Sequence, residues 1–478
     1  MLFNSLEFLV FFPMALAIYF ALPARHRWIF VLVASYYFYT SWRVAYVYLL
    51  LISTVTDYVC GRAIEGSENP TVRKRYLWLS CFVNLGLLFF FKYFDFANGV
   101  LRSLAEGTGV SYPIPDLGLT LPVGISFYTF QTLGYTIDVY KGRVQAEKNP
   151  LRFALYVSYF PQLVAGPIER ARNLLPQLRQ TYAFDYERVR DGLALMLWGL
   201  FKKVVIADRI AEYTNTVFAD PEAYQGLQIW LADYFFVIQL YCDFSGYTDI
   251  ALGCALTMGV RLMKNFQQPL LARNMHDLWN RWHISLTSWF RDYLYPLTGG
   301  RRNRSRMYWG IILIFLVNGL WHGAAWTFVA FGLLHGVALV IYYRIRDYLP
   351  AFYKRIGLAR VPRLAAVCEI LLIHVVFIFG GNFFRAESLS DSLVLIRNSL
   401  RFRGTGALNL FTFPVDLWLS FGFILLLYGS DWIGRTRGLG AWVSEQRLLV
   451  KLILVFLGVS GIIFLGKWEA LDFVYFQF

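Results

Sequence analysis

Long apolar stretches alternate with short polar connections along the whole chain. A helix that crosses a membrane needs about 20 mostly apolar residues, whereas the strands of a membrane barrel show a short alternating pattern. The stretches here are continuous, so they predict an all-α integral membrane fold of about 11 to 13 embedded helices. The predicted spans are 2–22, 28–42, 45–60, 76–96, 117–140, 151–166, 192–207, 226–260, 308–322, 325–343, 365–384, 416–434 and 449–465.

The composition indicates the same class of protein. Of the 478 residues, 57% are hydrophobic and 16% are charged, against roughly 45–50% and about 25% in soluble domains. The pattern shows no internal repeat and no soluble domain. We therefore expect residues 1–478 to form a single polytopic domain, with helices at 1–96, a core at about 100–390 and further helices at 413–478.

The basic residues are distributed as in a membrane protein. The net charge is +14, but Lys and Arg lie in short clusters between apolar stretches, which is typical of cytoplasmic loops. This argues against nucleic-acid binding and suggests contacts with anionic lipid headgroups. Placing the basic loops in the cytoplasm puts both termini outside. The span that follows the segment 301–306 then runs outward, and its last residue, His322, lies toward the outer face.

His322 is an ionisable residue inside a predicted span, in Asn318-Gly-Leu-Trp-His-Gly323. Such residues are costly in a membrane and indicate a functional site. Asn318 lies four residues earlier, on the same helix face. Gly319 and Gly323 favour close helix packing, so spacing alone leaves a packing role for His322 open. His335, in the next span, is predicted to make structural hydrogen bonds.

The segment 274–295 is amphipathic and rich in aromatic residues. Its pattern predicts one helix that lies at a membrane interface or enters a cavity. It carries His283, Trp282 and Arg291. An aromatic membrane anchor and the lining of an aqueous entrance both remain open.

Two other segments place polar or helix-breaking residues in apolar stretches. Asp243, Ser245 and Gly246 lie in the middle of an over-long stretch and predict a break in the helix near Phe244–Gly246. Residues 121–127 contain Pro and Gly and predict a kink or a discontinuous helix. No dinucleotide, zinc-protease or hydrolase motif occurs. His276 and His283 lack an evident third ligand, so no metal site is expected.

Taken together, these segments resemble the membrane-bound O-acyltransferase family, closest to its bacterial branch that acetylates exported polysaccharides such as alginate. The blocks that carry the resemblance occur in the family's order. They are Leu121-Pro-Val-Gly-Ile-Ser-Phe-Tyr128, Phe160-Pro-Gln-Leu-Val-Ala-Gly-Pro167, Asp243-Phe-Ser-Gly-Tyr-Thr-Asp249, Asn265-Phe-Gln-Gln-Pro269, Trp279-Asn-Arg-Trp-His-Ile-Ser-Leu-Thr-Ser-Trp-Phe-Arg-Asp-Tyr-Leu-Tyr295, Gly319-Leu-Trp-His-Gly323 and Phe383-Phe-Arg-Ala386.

The resemblance implies a ring of helices around a central tunnel, with His322 and His283 as catalytic residues. It implies Asn318, Asp243, Trp282, Arg291 and Trp321 as residues of the tunnel or substrate site. His322 would act as a general base on an acceptor hydroxyl or accept the acyl group itself; the sequence leaves both open.

The resemblance also implies a bacterial inner-membrane enzyme with acetyl-CoA as its cytoplasmic donor and no bound cofactor. The acceptor would be an exported polysaccharide, reached through a periplasmic, esterase-like acetyltransferase as partner. Alginate-type acetylation is expected. The alternatives are D-alanyl transfer to teichoic acid, acetylation of peptidoglycan or cellulose, a glycan or lipid transporter, and a scaffold that only recruits the outer enzyme.

Overall fold

The computed structural model describes residues 1–164, 166–299, 303–402, 406–437, 439–468 and 474. Across these residues the regular structure is helical and no strand occurs. The chain divides into two compact units, 1–196 with 247–263, and 197–246 with 264–478. The single polytopic domain expected from the sequence stays a prediction. Arg301 and Arg302, part of the segment used to predict the orientation of His322, lie outside the described residues.

The first unit is formed by the amino-terminal helices, of which α10 extends into the second. They are α1 (Leu6–Ala21), α2 (Ala24–Thr40), α3 (Val47–Glu65), α4 (Pro70–Leu88), α5 (Phe94–Gly107), α6 (Ile125–Tyr140), α7 (Pro150–Ser158), α8 (Phe160–Leu163), α9 (Ala171–Leu178) and α10 (Tyr186–Phe201). A π-helical turn, Phe89–Tyr93, joins α4 to α5.

The second unit contains the remaining helices, and α12 contributes residues to both units. They are α11 (Asp208–Ala219), α12 (Leu227–Thr257), α13 (Met275–Arg281), α14 (Ile284–Trp289), α15 (Arg304–His322), α16 (Trp326–Ile345), α17 (Leu349–Arg355), α18 (Pro362–Arg385), α19 (Leu389–Ser399), α20 (Val415–Arg437), α21 (Leu439–Glu445) and α22 (Leu448–Leu465).

Six described helices are long and apolar enough to cross a membrane. They are Val44–Glu65, Pro70–Gly107, Trp326–Ile345, Pro362–Arg385, Val415–Thr436 and Leu448–Leu465. The predicted all-α membrane fold is confirmed at this level, and the figure of 11 to 13 embedded helices stays a prediction. Several helices begin at side-chain caps readable in the sequence: Asn69 precedes Pro70, and the side chains of Asn274 and Asn303 accept backbone N–H bonds at the starts of α13 and α15.

A buried carboxylate organises the first unit. The Asp57 side chain on α3 is fully buried and accepts hydrogen bonds from Ser80, Asn84 and Thr136, which lie on α4 and α6. Three donors replace the water that the carboxylate loses on burial. The cluster therefore fixes α3, α4 and α6 against one another.

The connection after α5 is anchored by polar side chains. Asp95 accepts backbone N–H bonds from Leu117 and Gly118 at 2.7 and 3.0 Å. Asp116 accepts hydrogen bonds from Asn98 at 2.6 Å and from Arg102 at 3.0 Å. These bonds hold the pKa of Asp116 below its usual value, with Arg102 the larger cause. The segment 117–124, predicted to begin a span, is thus a loop.

Three predictions about continuity need correction. The predicted span 117–140 begins only at Ile125, after Gly124 with a φ of +78°. The span 151–166 is interrupted between α7 and α8 at Tyr159. The predicted break near Phe244–Gly246 is wrong, because α12 is helical throughout its 31 residues.

The polar residues that suggested a break in α12 have partners instead. Asp243 is paired with Lys203 at 2.7 Å, and Ser245 accepts a hydrogen bond from Lys202 at 2.8 Å. Gly246 allows close packing, since a Cβ there would lie 2.7 Å from the carbonyl oxygen of Gly199. The helix therefore continues because the Asp243 and Ser245 side chains have the two lysines as partners.

Lys203 lies between two carboxylates, with Asp208 at 2.8 Å on the other side. All three side chains are at most 3% exposed. The second oxygen of Asp243 accepts the backbone N–H of Val474 at 2.7 Å. This buried ion triad joins the start of α11 to α12.

Candidate active site

His322 is the last residue of α15 and is 4% exposed. Aromatic rings surround it: the ring centroids of Trp321, Phe384 and Phe331 lie at 5.0, 5.1 and 5.8 Å. The next residue, Gly323, has extended backbone, so the helix ends at the histidine itself. The imidazole is thus held in a largely apolar pocket at the end of a helix.

His283 lies beside it. The two imidazole centroids are 6.5 Å apart, and the ring of Trp321 is 5.6 Å from His283. His283 is 1% exposed, and the ring of Phe244 lies 4.7 Å from it. The structure therefore brings together the two histidines that the sequence predicts as catalytic, and the ring of Trp321 lies beside both of them.

The backbone at His283 is unusual. The predicted single helix over 274–295 is wrong in its continuity, because α13 ends at Arg281 and α14 begins at Ile284. His283 has a φ of +43°, in the left-handed region that residues other than glycine rarely adopt. The Ile284 N–H donates to the Asn265 carbonyl at 2.9 Å, which helps to hold this interruption in place. Strained backbone of this kind is concentrated at functional sites.

Close packing between α15 and α16 fixes the position of His322. A Cβ on Gly319 would lie 2.1 Å from the carbonyl oxygen of Phe328, and one on Gly332 would lie 2.2 Å from that of Phe315. A Cβ on Gly323 would clash with the Phe328 ring at 2.0 Å. The close approach predicted for Gly319 and Gly323 is confirmed.

Two other predicted site residues, Asn318 and Trp282, are also buried. Asn318 is buried one turn before His322, and its amide nitrogen has no hydrogen-bond partner among the described residues. Trp282 is buried, with the rings of Phe377 and Phe266 at 4.8 and 5.1 Å.

Two predicted residues are engaged elsewhere. Asp243 belongs to the buried ion triad with Lys203. Arg291 has a side chain that is 65% exposed and lies 3.6 Å from Asp292. The structure therefore shows neither of them beside the histidines.

Some features of the site could not be predicted. Phe384 occurs in the recognised block Phe383-Phe-Arg-Ala386, which is the one sequence signal for it, whereas nothing marks Phe331. The structural hydrogen bonds predicted for His335 are not found, since neither ring nitrogen has a partner among the described residues. Within the same residues no group of three or more His, Cys, Asp or Glu side chains could hold a metal ion.

The sequence is similar to those of known proteins along most of the chain. The family model described as MBOAT, membrane-bound O-acyltransferase family, matches residues 146–380, which include both histidines. The probable alginate O-acetylase AlgI of Azotobacter vinelandii is 39% identical over 394 residues, covering 81% of this chain and 76% of that protein.

Two relatives with other names match as well. The peptidoglycan O-acetyltransferase of Helicobacter pylori is 34% identical over 447 residues, 86% of this chain and 82% of that protein. The teichoic acid D-alanyltransferase of Bacillus subtilis is 30% identical over 241 residues, 48% of this chain and 60% of that protein. With its long apolar helices, the chain belongs to the membrane-bound O-acyltransferase family and is a multi-pass membrane O-acyltransferase.

Proposed function

We propose that this protein transfers acetyl groups from cytoplasmic acetyl-CoA across a bacterial inner membrane toward an exported polysaccharide of the alginate type. A periplasmic, esterase-like acetyltransferase is the proposed partner that finally modifies the sugar. The observation that carries the proposal is the buried His283–His322 pair, held by closely packed helices in a chain related to named O-acetylases.

The proposed chemistry is acyl transfer from a thioester to a hydroxyl group. The acceptor oxygen attacks the thioester carbonyl carbon, His322 takes the hydroxyl proton as general base, and the C–S bond breaks to release the CoA thiolate. The proton then returns to the thiolate, so no net proton is consumed. In the alternative route, His322 attacks first and carries the acetyl group before the hydroxyl takes it.

His283 is proposed to orient the acceptor or the acyl group beside His322. The centroid of its ring lies 6.5 Å from that of His322, and its backbone has the left-handed conformation of the interruption between α13 and α14. A neutral imidazole suits both roles of His322. The aromatic rings around the pair exclude water, which limits hydrolysis of the thioester.

The test uses sealed vesicles that contain the protein and its partner, with labelled acetyl-CoA on the cytoplasmic side. We expect label on an outside polyuronate acceptor with the wild type and none with His322→Ala. The matched control is His374→Ala. It removes a histidine on α18 that is hydrogen-bonded to Tyr428 on α20, and it should keep transfer. Equal labelling by wild type and His322→Ala would contradict the catalytic assignment and favour a scaffold.

A second candidate is O-acetylation of peptidoglycan, since the Helicobacter relative matches over more of this chain than the alginate O-acetylase does. Offering both acceptors in the same vesicles distinguishes them. Label on the glycan strand of peptidoglycan alone would support the second candidate. Glycan export without any use of acetyl-CoA, unchanged in His322→Ala, would indicate a transporter.

A further inference from the structure

His335 is a third buried histidine, close to the proposed catalytic pair. It lies on α16, is 0% exposed, and has no hydrogen-bond partner for either ring nitrogen among the described residues. The indole nitrogen of Trp279 also has none, and the two rings are 5.1 Å apart at 87°. Buried polar groups left unpaired are rare and costly. The ring nitrogens of His335 and Trp279 are therefore candidates for hydrogen bonds to a ligand.

Phe331 connects this pair of rings to His322. Its ring centroid lies 5.8 Å from that of His322 and 4.7 Å from that of His335. His335 follows Phe331 by four residues on α16, which is about 6 Å along the helix axis. Phe331 therefore contacts both histidines, and the imidazole centroids of His322 and His335 lie at most 10.5 Å apart.

A further polar contact lies near the basic end of α16. His276, one turn before Trp279 on α13, lies 2.7 Å from the hydroxyl of Tyr343 and 2.9 Å from the side-chain nitrogen of Asn280. Tyr343 precedes the basic connection after α16, which the charge pattern places in the cytoplasm. Polar side chains therefore occur at three successive places between the basic end of α16 and the catalytic pair: His276 with Tyr343, His335 with Trp279, and His322.

The hydrogen-bonding groups of His335 and Trp279 are complementary to a secondary amide. A neutral imidazole offers one N–H donor and one acceptor nitrogen, and an indole offers one N–H donor. A secondary amide offers a carbonyl acceptor and an N–H donor, so it can pair with both side chains at once. The arm of a phosphopantetheine thioester carries such amides, and no charged group close to the sulfur.

The spacing agrees with this assignment. The first amide of the arm lies two methylene groups beyond the sulfur. Four bonds of about 1.5 Å join the thioester carbon to the amide nitrogen, so an extended arm places these atoms about 5 Å apart. The contacts of Phe331 place the imidazole centroids of His322 and His335 at most 10.5 Å apart, which an arm of this length spans when a contact of about 3 Å is made at each end. An acyl carbon at His322 would therefore place the first amide near His335 and Trp279.

We propose that His335 and Trp279 form a binding subsite for the amide nearest the sulfur of a phosphopantetheine-type acyl donor, next to Phe331 on the cytoplasmic side of His322. This proposal rests on the proposed function, because it assumes a thioester donor. His335 acts as a positioning residue, which sets the thioester carbonyl against His322.

The test compares two small acetyl donors in the vesicles described above. S-acetyl-N-acetylcysteamine retains the first amide, and an S-alkyl thioacetate of matched length lacks it. We expect the wild type to use the amide donor three- to tenfold better in kcat/KM, the effect of about one hydrogen bond. His335→Phe, which keeps a ring but removes both nitrogens, should bring this ratio closer to one, because only the Trp279 N–H then remains to pair with the amide.

Two further variants distinguish a local effect at His335 from a general folding defect. Gly380→Ala should also reduce the ratio, since a Cβ there would lie 2.3 Å from the His335 Nε2 atom and displace the ring. His374→Phe removes a histidine outside the subsite and should leave the ratio unchanged. A wild type without amide preference, or equal losses with both donors in His335→Phe, would overturn the subsite. A wild type that uses no thioester at all would overturn the proposed function itself.

Discussion

Gly319→Ala tests whether the crossing of α15 and α16 positions His322. The added Cβ would lie 2.1 Å from the Phe328 carbonyl oxygen, whereas real Cβ atoms essentially never come closer than 3.0 Å. The obstructing atom belongs to the backbone, so a side-chain rotation cannot relieve the contact. The two helices must therefore separate locally by about 1 Å.

That separation acts directly on the site, because His322 lies one turn after Gly319 and Phe331 lies on the facing helix. A misplacement of about 1 Å can reduce an enzymatic rate by about 10²-fold. Overpacking also costs about 1–3 kcal/mol of stability. We expect acetyl transfer in vesicles to fall by roughly two orders of magnitude, mainly in kcat, with only a modest fall in the melting temperature.

The assay measures the initial transfer rate per folded molecule, with folding checked by gel filtration and thermal melting in detergent. Gly422→Ala is the matched control, because nothing lies within 4 Å of a Cβ on this helical glycine. It should keep full activity and equal or slightly raise stability, since Ala is favoured over Gly in helices by about 1 kcal/mol. Full activity of Gly319→Ala would refute the idea that this crossing sets the catalytic geometry.

Three more predictions concern the supporting structure. Asp57→Ala should lower the free energy of unfolding by about 3 kcal/mol, because three buried donors lose their acceptor; denaturation in detergent measures it, and a loss below about 1 kcal/mol would contradict the prediction. Lys203→Met should cost about 3–5 kcal/mol by leaving the carboxylates of Asp208 and Asp243 without a cation, and adding Asp208→Asn and Asp243→Asn should restore most of it. The carboxyl of Asp116 has a folded pKa below its usual value of 3.8, so the stability that it gives to its loop is present above pH 3.8 and is lost as the pH falls through the folded pKa; protease sensitivity of this loop that does not rise in acid would argue against it.

Helices could be predicted where one residue pattern decided the outcome. The stretch 449–465 is apolar except for Lys451 and Ser460, and α22 matches it within one residue at its start. The predicted end at His322 is also correct, because Gly323 follows it directly and glycine favours the end of a helix. In these cases hydrophobicity and the residue next to the helix indicate the same boundary.

Predictions failed where distant side chains decided the local structure. Asp243, Ser245 and Gly246 look like a helix break, and only the position of Lys202 and Lys203 against them shows that the helix can continue. These lysines are about 40 residues away in the chain. Local helix propensity contains no information about partners this far away in the sequence, so the continuity of α12 could not be predicted from it.

His283 shows the opposite error, and it bears most directly on function. The sequence around it has good helical periodicity and no Gly or Pro, yet the helix is interrupted there, with left-handed backbone. Irregular backbone within a membrane protein is tolerated where protein buries it or where it lines a cavity. His322 likewise sits where a helix ends. Both histidines therefore occupy helix interruptions, where side chains can point along a helix axis and approach each other in a way that two continuous helix faces would not allow. Regular helical backbone is interrupted at these two points, as is common at functional sites, while the close packing of α15 against α16 holds His322 in place.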